Sequence, residues 1–273
     1  MMSDANANNE NQGSRLLPAS IEAAWGVRSR PTKGPKPGLS LERIVVAAIK
    51  IALTKGLSAV SMSRVATELG SAPMSLYRYV ASKDELLALM VDAALGPPLA
   101  APSSDDGWRA ALSRWAWGAL AAYRRHPWTL QIPISGPPAT PNQVAWLEQG
   151  LRALRGTGLT EAEQLSVVML LAGIVRNAAS LEASISAAFQ ASGATPEEAM
   201  SSYGRLLRRV ASPERFPALC ALIAAGVLDA VGGQDDEFLF GLARILDGIE
   251  ALIRTRTSGQ AEPHEVSAPR ADS

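Results

Sequence analysis

Residues Ser61 to Leu95 read SMSRVATELGSAPMSLYRYVASKDELLALMVDAAL, and this stretch decides the fold. Ser61 supplies a side-chain oxygen for the open amides of a helix whose apolar positions, Met62, Val65, Ala66 and Leu69, fall on one face. Gly70 stops that helix, because glycine reaches the left-handed region at little steric cost, and Pro73 suits the first turn of a new helix. The second helix, about 73–80, is short and polar: Leu76 and Val80 share a face, with Ser75, Arg78 and Tyr79 mostly elsewhere. Ser82-Lys83-Asp84-Glu85 then forms an S-x-x-E capping box before Leu86, Leu87, Met90, Val91 and Ala94, the inward stripe of a bracing third helix. Helix, sharp turn, exposed helix and brace are the parts of a helix-turn-helix.

Helix pairs joined through glycine also occur as plain packing units, so charge weighs in the reading. Between Arg28 and Leu95 there are ten basic residues (Arg28, Arg30, Lys33, Lys36, Arg43, Lys50, Lys55, Arg64, Arg78, Lys83) against five acidic ones (Glu42, Glu68, Asp84, Glu85, Asp92). The segment carries net +5 in a chain whose formal total is zero. Positive potential confined to one end is the electrostatic footprint of a nucleic-acid reader.

Leu69-Gly70, then Leu76-Tyr77-Arg78-Tyr79-Val80, then Ser82-Lys83-Asp84-Glu85-Leu86-Leu87 stand in the order and at the separations of LG, LYxHF and sKxxLL. On these residues the chain resembles the TetR family of bacterial transcriptional regulators. It departs where the family's usual histidine and phenylalanine are Tyr79 and Val80, and where the common Val-Ser after the glycine is Ser71-Ala72. Tyr79 keeps an aromatic hydrogen-bonding group. Ala72 has no oxygen to cap the recognition helix or bond a phosphate, a contribution left to Ser71 or Ser75.

At 273 residues and 47% hydrophobic, the chain holds a small domain and a larger one with a sizeable core. Few β-branched runs and apolar spacing at helical period throughout predict an all-α protein, with an N-terminal three-helix helix-turn-helix domain and a larger helical domain behind it. The one cysteine, Cys220, sits among Ala218, Leu219, Ala221 and Leu222 and reads as an inert core thiol rather than a redox sensor. With only His126 and His264 besides, no metal-ligand or catalytic His/Cys spacing is present, and no cofactor is expected. The start, MMSDANANNENQ, lacks a signal-peptide pattern, and the apolar runs Leu165 to Val175 and Ala218 to Leu228 are shorter than a bilayer span. A cytoplasmic protein without membrane contact is the expectation.

In chain order, residues 1–38 read as a flexible arm whose end, Arg28, Arg30, Lys33 and Lys36 spaced by Pro31, Pro35 and Pro37, is either a solvated linker or a cationic strip for the minor groove. The DNA-binding domain spans 39–95, opened by Ser40 and a stripe of Leu41, Ile44, Val45, Ala48, Ile49, Ala52 and Leu53. The proline-rich 96–104 is the linker and 105–256 the second domain. That domain begins with a helix carrying Trp108, Leu112, Trp115 and Leu120, which ends at His126-Pro127. Next come the proline-broken WTLQIPISGPPATP and a helix with Val144, Leu147, Leu151 and Leu154. Thr160-Glu161-Ala162-Glu163 caps a long helix to about residue 191, apolar on all faces from 165 to 175 and interrupted by Arg176, whose burial calls for a ligand, a dimer mate or an acidic side chain as partner. A helix from Thr195-Pro196 and a short apolar one from Phe216 precede the last, about 235–256, with Phe238, Leu242, Ile245, Ile249, Leu252 and Ile253 as a near-heptad seam. Residues 257–273 read as a disordered tail.

The closing helix also resembles that of the tetracycline-repressor group, where it and the long central helix build a four-helix bundle with a second subunit. The resemblance implies a homodimeric, ligand-responsive transcriptional regulator, usually a repressor, that binds a palindromic double-stranded operator and is released by a small-molecule effector. On this reading Ser61, Tyr77 and Lys83 position phosphates, joined by Ser63, Arg64 and Tyr79, while Pro73, Met74, Ser75 and Arg78 face bases, Arg78 being suited to a guanine edge. Trp115, Trp117, Trp128, Trp146, Met169 and Arg176 are the candidate effector-lining residues, against the plainer reading of aromatic and methionine residues at helical spacing as core. The rival functions are a helical small-molecule enzyme, for which no catalytic cluster is visible, and a protein-interaction adaptor docking through the C-terminal seam.

Overall fold

The computed structural model describes residues 18–26, 39–98, 107–229, 233 and 235–259. The cationic strip from Arg28 to Lys36, residues 99–104 of the linker and the tail beyond 259 lie outside the described residues. Every regular element among the described residues is helical. They form two compact units, Met1–Arg176 and Asn177–Ser273.

In the first unit the helices are α1 (Ala19–Ala24), α2 (Leu41–Lys55), α3 (Met62–Glu68), α4 (Pro73–Leu76), α5 (Lys83–Leu95), α6 (Trp108–Arg125), α7 (Pro141–Ala153) and the start of α8 (Glu161–Ser192). The Ser40, Ser61 and Ser82 hydroxyls each accept the N–H three residues on, at 3.2, 3.2 and 3.1 Å, so the expected caps of α2, α3 and α5 are all made. α3 ends as its sequence requires: Gly70 has φ 61°, and the Ser71 N–H reaches back to the Ala66 carbonyl at 2.9 Å. Ile44, Ile51, Val60, Val65, Leu76, Val80, Leu86 and Met90 form the buried centre of this reading head.

α1 was not expected. The composition of the arm reads as structureless, yet Ile21 joins the buried cluster of the head, with Ala24 three residues on packed against it. Enough apolar surface to dock one turn lay within a polar-looking segment. Trp128, in the 3-10 turn Pro127–Gln131, belongs to the same cluster, so the head's core runs on past the linker. This continuity is why packing divides the chain inside α8 rather than at 96–104.

The second unit holds the rest of α8, α9 (Pro196–Val210), α10 (Pro217–Ala224) and α11 (Asp236–Gly259), with α9 packed on α10 and the turn Val227–Asp229. Thr195 and Glu198 make a complete capping box at α9. On α11, Phe238, Leu242, Leu246 and Ile249 are buried while Leu239 and Phe240 are exposed.

α8 departs from expectation in two respects. At 32 residues it is long and apolar enough to cross a membrane by length and composition, because Ala, Ser and Leu continue the apolar run beyond Asn177. Its 165–175 segment is also not buried all round: Val167, Val168, Leu171 and Val175 are, but Leu165, Met169 and Leu170 are 44%, 51% and 52% exposed.

Candidate nucleic-acid interface

The exposed side of the reading head is built on α3 and α4. α4 closes after one turn, and Tyr77 to Tyr79 continue as a turn in which the Tyr79 and Val80 amides both bond the Leu76 carbonyl, at 2.8 and 3.0 Å. Leu76 and Val80, fully buried, anchor the turn from below. Above it Pro73 and Arg78 are exposed, Met74 is 75% exposed and Ser75 is half-buried. Ala72 gives α4 no side-chain cap, which leaves the helix start open.

Ser61, Ser63 and Arg64 at the start of α3, with Tyr77 and Lys83, are also exposed. Ser61 already caps α3, and the Arg64 guanidinium donates to the Ala59 carbonyl at 3.2 Å, which ties its stem to the preceding turn. Tyr79 is half-buried, and its hydroxyl donates to the Leu39 carbonyl at 3.1 Å and so fixes the entry to α2. Leu39, Leu69, Gly70, Ser71, Ser75, Arg78 and Tyr79 surround an open depression of about 610 Å³. It places a guanidinium and two serine hydroxyls around one concavity, a donor-rich surface for phosphate and base edges.

The Lys50 ammonium lies 2.7 Å from Glu68, which raises the lysine's pKa and lowers the carboxylate's through their shared hydrogen bond. That lysine is occupied by the head itself.

Behind the head, the Asp92 carboxylate on α5 caps α7 by accepting the backbone N–H of Asn142 and Gln143 at 2.9 and 3.1 Å, while the Asn142 amide returns to Asp92. The Trp146 indole donates to the Gly96 carbonyl at 2.9 Å and Trp115 to the Trp146 carbonyl at 2.8 Å, their rings meeting edge to face. The sequence reading missed Asp92. The available signal was a lone acid on an apolar stripe, with Pro141-Asn142 later opening a helix whose own cap, Thr140, makes no side-chain bond.

The six candidate effector residues differ in where they are placed. Trp115 and Trp146 are buried together with both N–H groups used, Trp128 is buried in the head's core, Trp117 is half-buried, and Met169 is exposed. The Arg176 guanidinium donates to the backbone carbonyls of Leu130 and Ile132 at 3.1 and 3.0 Å, pinning the start of the 132–140 loop. Trp128 Nε1, His126 Nδ1 and Thr140 Oγ1 are buried without a partner among the described residues.

Residues 44–90 match the model of bacterial regulatory proteins of the tetR family, and residues 101–253 match the tetracyclin repressor-like C-terminal domain. The chain belongs to the TetR family. This TetR-family chain is 41% identical over 255 residues to the HTH-type transcriptional repressor DrrR1 of Streptomyces coeruleorubidus, covering 93% of each chain. Among solved structures it is similar to apo ActR of Streptomyces coelicolor, with TM-score 0.68 and 26% identity over 81% of this chain and 99% of that one. ActR in complex with actinorhodin is similar at TM-score 0.68 and 28% identity, over 79% and 97%. As a TetR-family member the chain is a ligand-responsive, DNA-binding transcriptional regulator, and the exposed turn around Arg78 lies in its tetR-family domain.

Proposed function

We propose that the chain works as a homodimer on a palindromic operator, with Pro73, Met74, Ser75 and Arg78 facing bases and Ser61, Ser63, Arg64, Tyr77 and Lys83 on the sugar-phosphate backbone. The observation that carries this is the exposed Arg78 turn held over a fully buried Leu76 and Val80, a rigid platform with its polar side free. Tyr79 supports the platform from within. Two such heads about 34–36 Å apart enter successive major grooves.

The second copy is the occupant for the exposed Leu165, Met169 and Leu170 on α8 and Leu239 and Phe240 on α11, apolar surface of the kind a stable homodimer covers. A cytoplasmic location follows from the DNA partner. The effector is a small molecule taken up by the helical domain. It acts by preferring a head spacing that misfits the operator, so it lowers DNA affinity by its differential affinity for the two states.

Light scattering, gel shift with the chain's own upstream DNA in low salt, and a thermal-shift screen of small molecules followed by DNA release test the reading in sequence. A monomer indifferent to that DNA would overturn it.

A further inference from the structure

α1 touches two parts of the first unit that the linker separates in sequence. On the head side Ile21 is 5% exposed within the buried cluster, and the fully buried Ser20 donates its hydroxyl to Glu85 Oε2 at 2.6 Å. The same carboxylate oxygen accepts the Ala81 N–H at 3.0 Å, so α1 is bonded to the first turn of the brace α5. On the other side the Trp25 indole donates to the Ala139 carbonyl at 2.8 Å, just before α7. Trp25 is 41% exposed, so its hydrogen bond rather than ring burial makes this contact specific.

The 132–140 loop is thereby held at both ends. Arg176 grips the Leu130 and Ile132 carbonyls, and Trp25 grips Ala139, whose own N–H donates to Gln143 on α7 at 3.4 Å. At its start the loop also meets the head directly, because Ile132 packs against the head's buried cluster, while the Trp25 end returns to the head through the six residues of α1. A segment serving merely as extra core would need Ile21 and nothing more. α1 adds one hydrogen bond to the head and one to the loop, which is the arrangement of a clasp.

We infer that α1 is a clasp that fixes the reading head against the 132–140 loop, with Ser20 and Trp25 as its two positioning residues. The inference rests on the head being the DNA-binding part. A clasp fails when either end is cut, and cutting both ends does no further harm. Two independent stabilising contacts instead add.

The experiment compares the full chain with Ser20→Ala, Trp25→Phe and the double variant, all well below their melting temperatures, on the chain's upstream DNA. Each single variant weakens binding at least about threefold, and the double stays within about twofold of the weaker single. In parallel, amide exchange of the 132–140 peptide without DNA rises at least about threefold in Ser20→Ala, although the Ser20 hydroxyl bonds to Glu85 on the head. Additive losses of affinity, or unchanged exchange in Ser20→Ala, overturn the clasp. If the unsubstituted chain ignores the DNA, the operator reading fails, and the exchange result still decides the clasp.

Discussion

Asp92 on α5 and Asn142 on α7 are joined by three hydrogen bonds. The carboxylate accepts the Asn142 backbone N–H at 2.9 Å and its side-chain amide at 3.0 Å, and the same amide reaches the Asp92 carbonyl at 3.0 Å. A residue 50 positions upstream thus caps α7 in place of Thr140. Removing it leaves orphan amides in a site where Asp92 is only 7% exposed. Asp92→Ala is expected to cost about 2 kcal/mol, a fall of roughly 4–8 °C in melting temperature, with Asp92→Asn intermediate because one oxygen can still accept. Calorimetry of the three proteins checks this, and an unchanged Asp92→Ala would show that water caps α7 equally well.

Arg78→Ala is expected to relax base preference, with about 1–3 kcal/mol of discrimination lost at one operator position. Lys83→Ala is expected to weaken all sequences alike and to lower the salt slope by about one. A gel-shift series over single-base operator variants at several salt concentrations separates the two. Unchanged preference in Arg78→Ala removes that residue from the base-reading set.

The reading head was legible because its signals are local. Ser40, Ser61, Ser82, Thr160 and Thr195 all cap where their spacing predicted, and Gly70 turns the chain with a positive φ. What the sequence concealed is long-range. Trp25 finds Ala139 across 114 residues, Arg176 finds Leu130 across 46, and Trp128 leaves the proposed effector wall for the head's core. Periodicity tells which face of a helix is apolar and not what it packs against. The short recognition helix was overextended for a related reason: Leu76 and Val80 are four apart whether the intervening residues are a helix or a closed turn.

α7 and α8 approach closely at Gly150, where an added Cβ would lie 3.0 Å from both Val168 methyl groups. Helix propensity favours alanine over glycine by roughly 0.5–1 kcal/mol, but overpacking costs about 1–3 kcal/mol. Gly150→Ala is therefore expected to be destabilising, and Val168→Ala in the same chain to recover part of the loss. Denaturant midpoints of the two single variants and the double decide it. A stabilising Gly150→Ala would mean that Val168 turns aside freely.

Burial, with a smaller contribution from neighbouring Arg125, lowers the His126 pKa from its ordinary value, and its ring meets Trp128 edge-on at 6.1 Å. A depressed imidazole pKa means that the unfolded chain binds the proton more readily. Stability is thus full above about 6.5, the unfolded value, and is lost as pH falls from there toward the folded value. Melting temperature is expected to drop between pH 7 and pH 5.5, and His126→Gln to flatten that slope. An equal slope in both proteins assigns the pH dependence to other groups.

The exposed apolar face of α8 gives the clearest test of assembly. Leu165 and Met169 lie about one helical turn apart, with Leu170 next to Met169, along a helix whose opposite side, Val167, Val168, Leu171 and Val175, is already buried. A side chain exposed in the single chain contributes little to its folding, whereas in a two-fold interface each substitution is felt twice. Covering one such residue contributes about 1.5–3 kcal/mol, and a carboxylate in its place adds the cost of desolvating an unpaired charge. Leu170→Glu is therefore expected to weaken self-association by more than about a hundredfold, giving a monomer in light scattering at micromolar concentration. Far-UV circular dichroism should be unchanged, and operator binding should fall with the dimer because one head alone covers half a site. A Leu170→Glu protein that remains dimeric would move the interface off this face of α8.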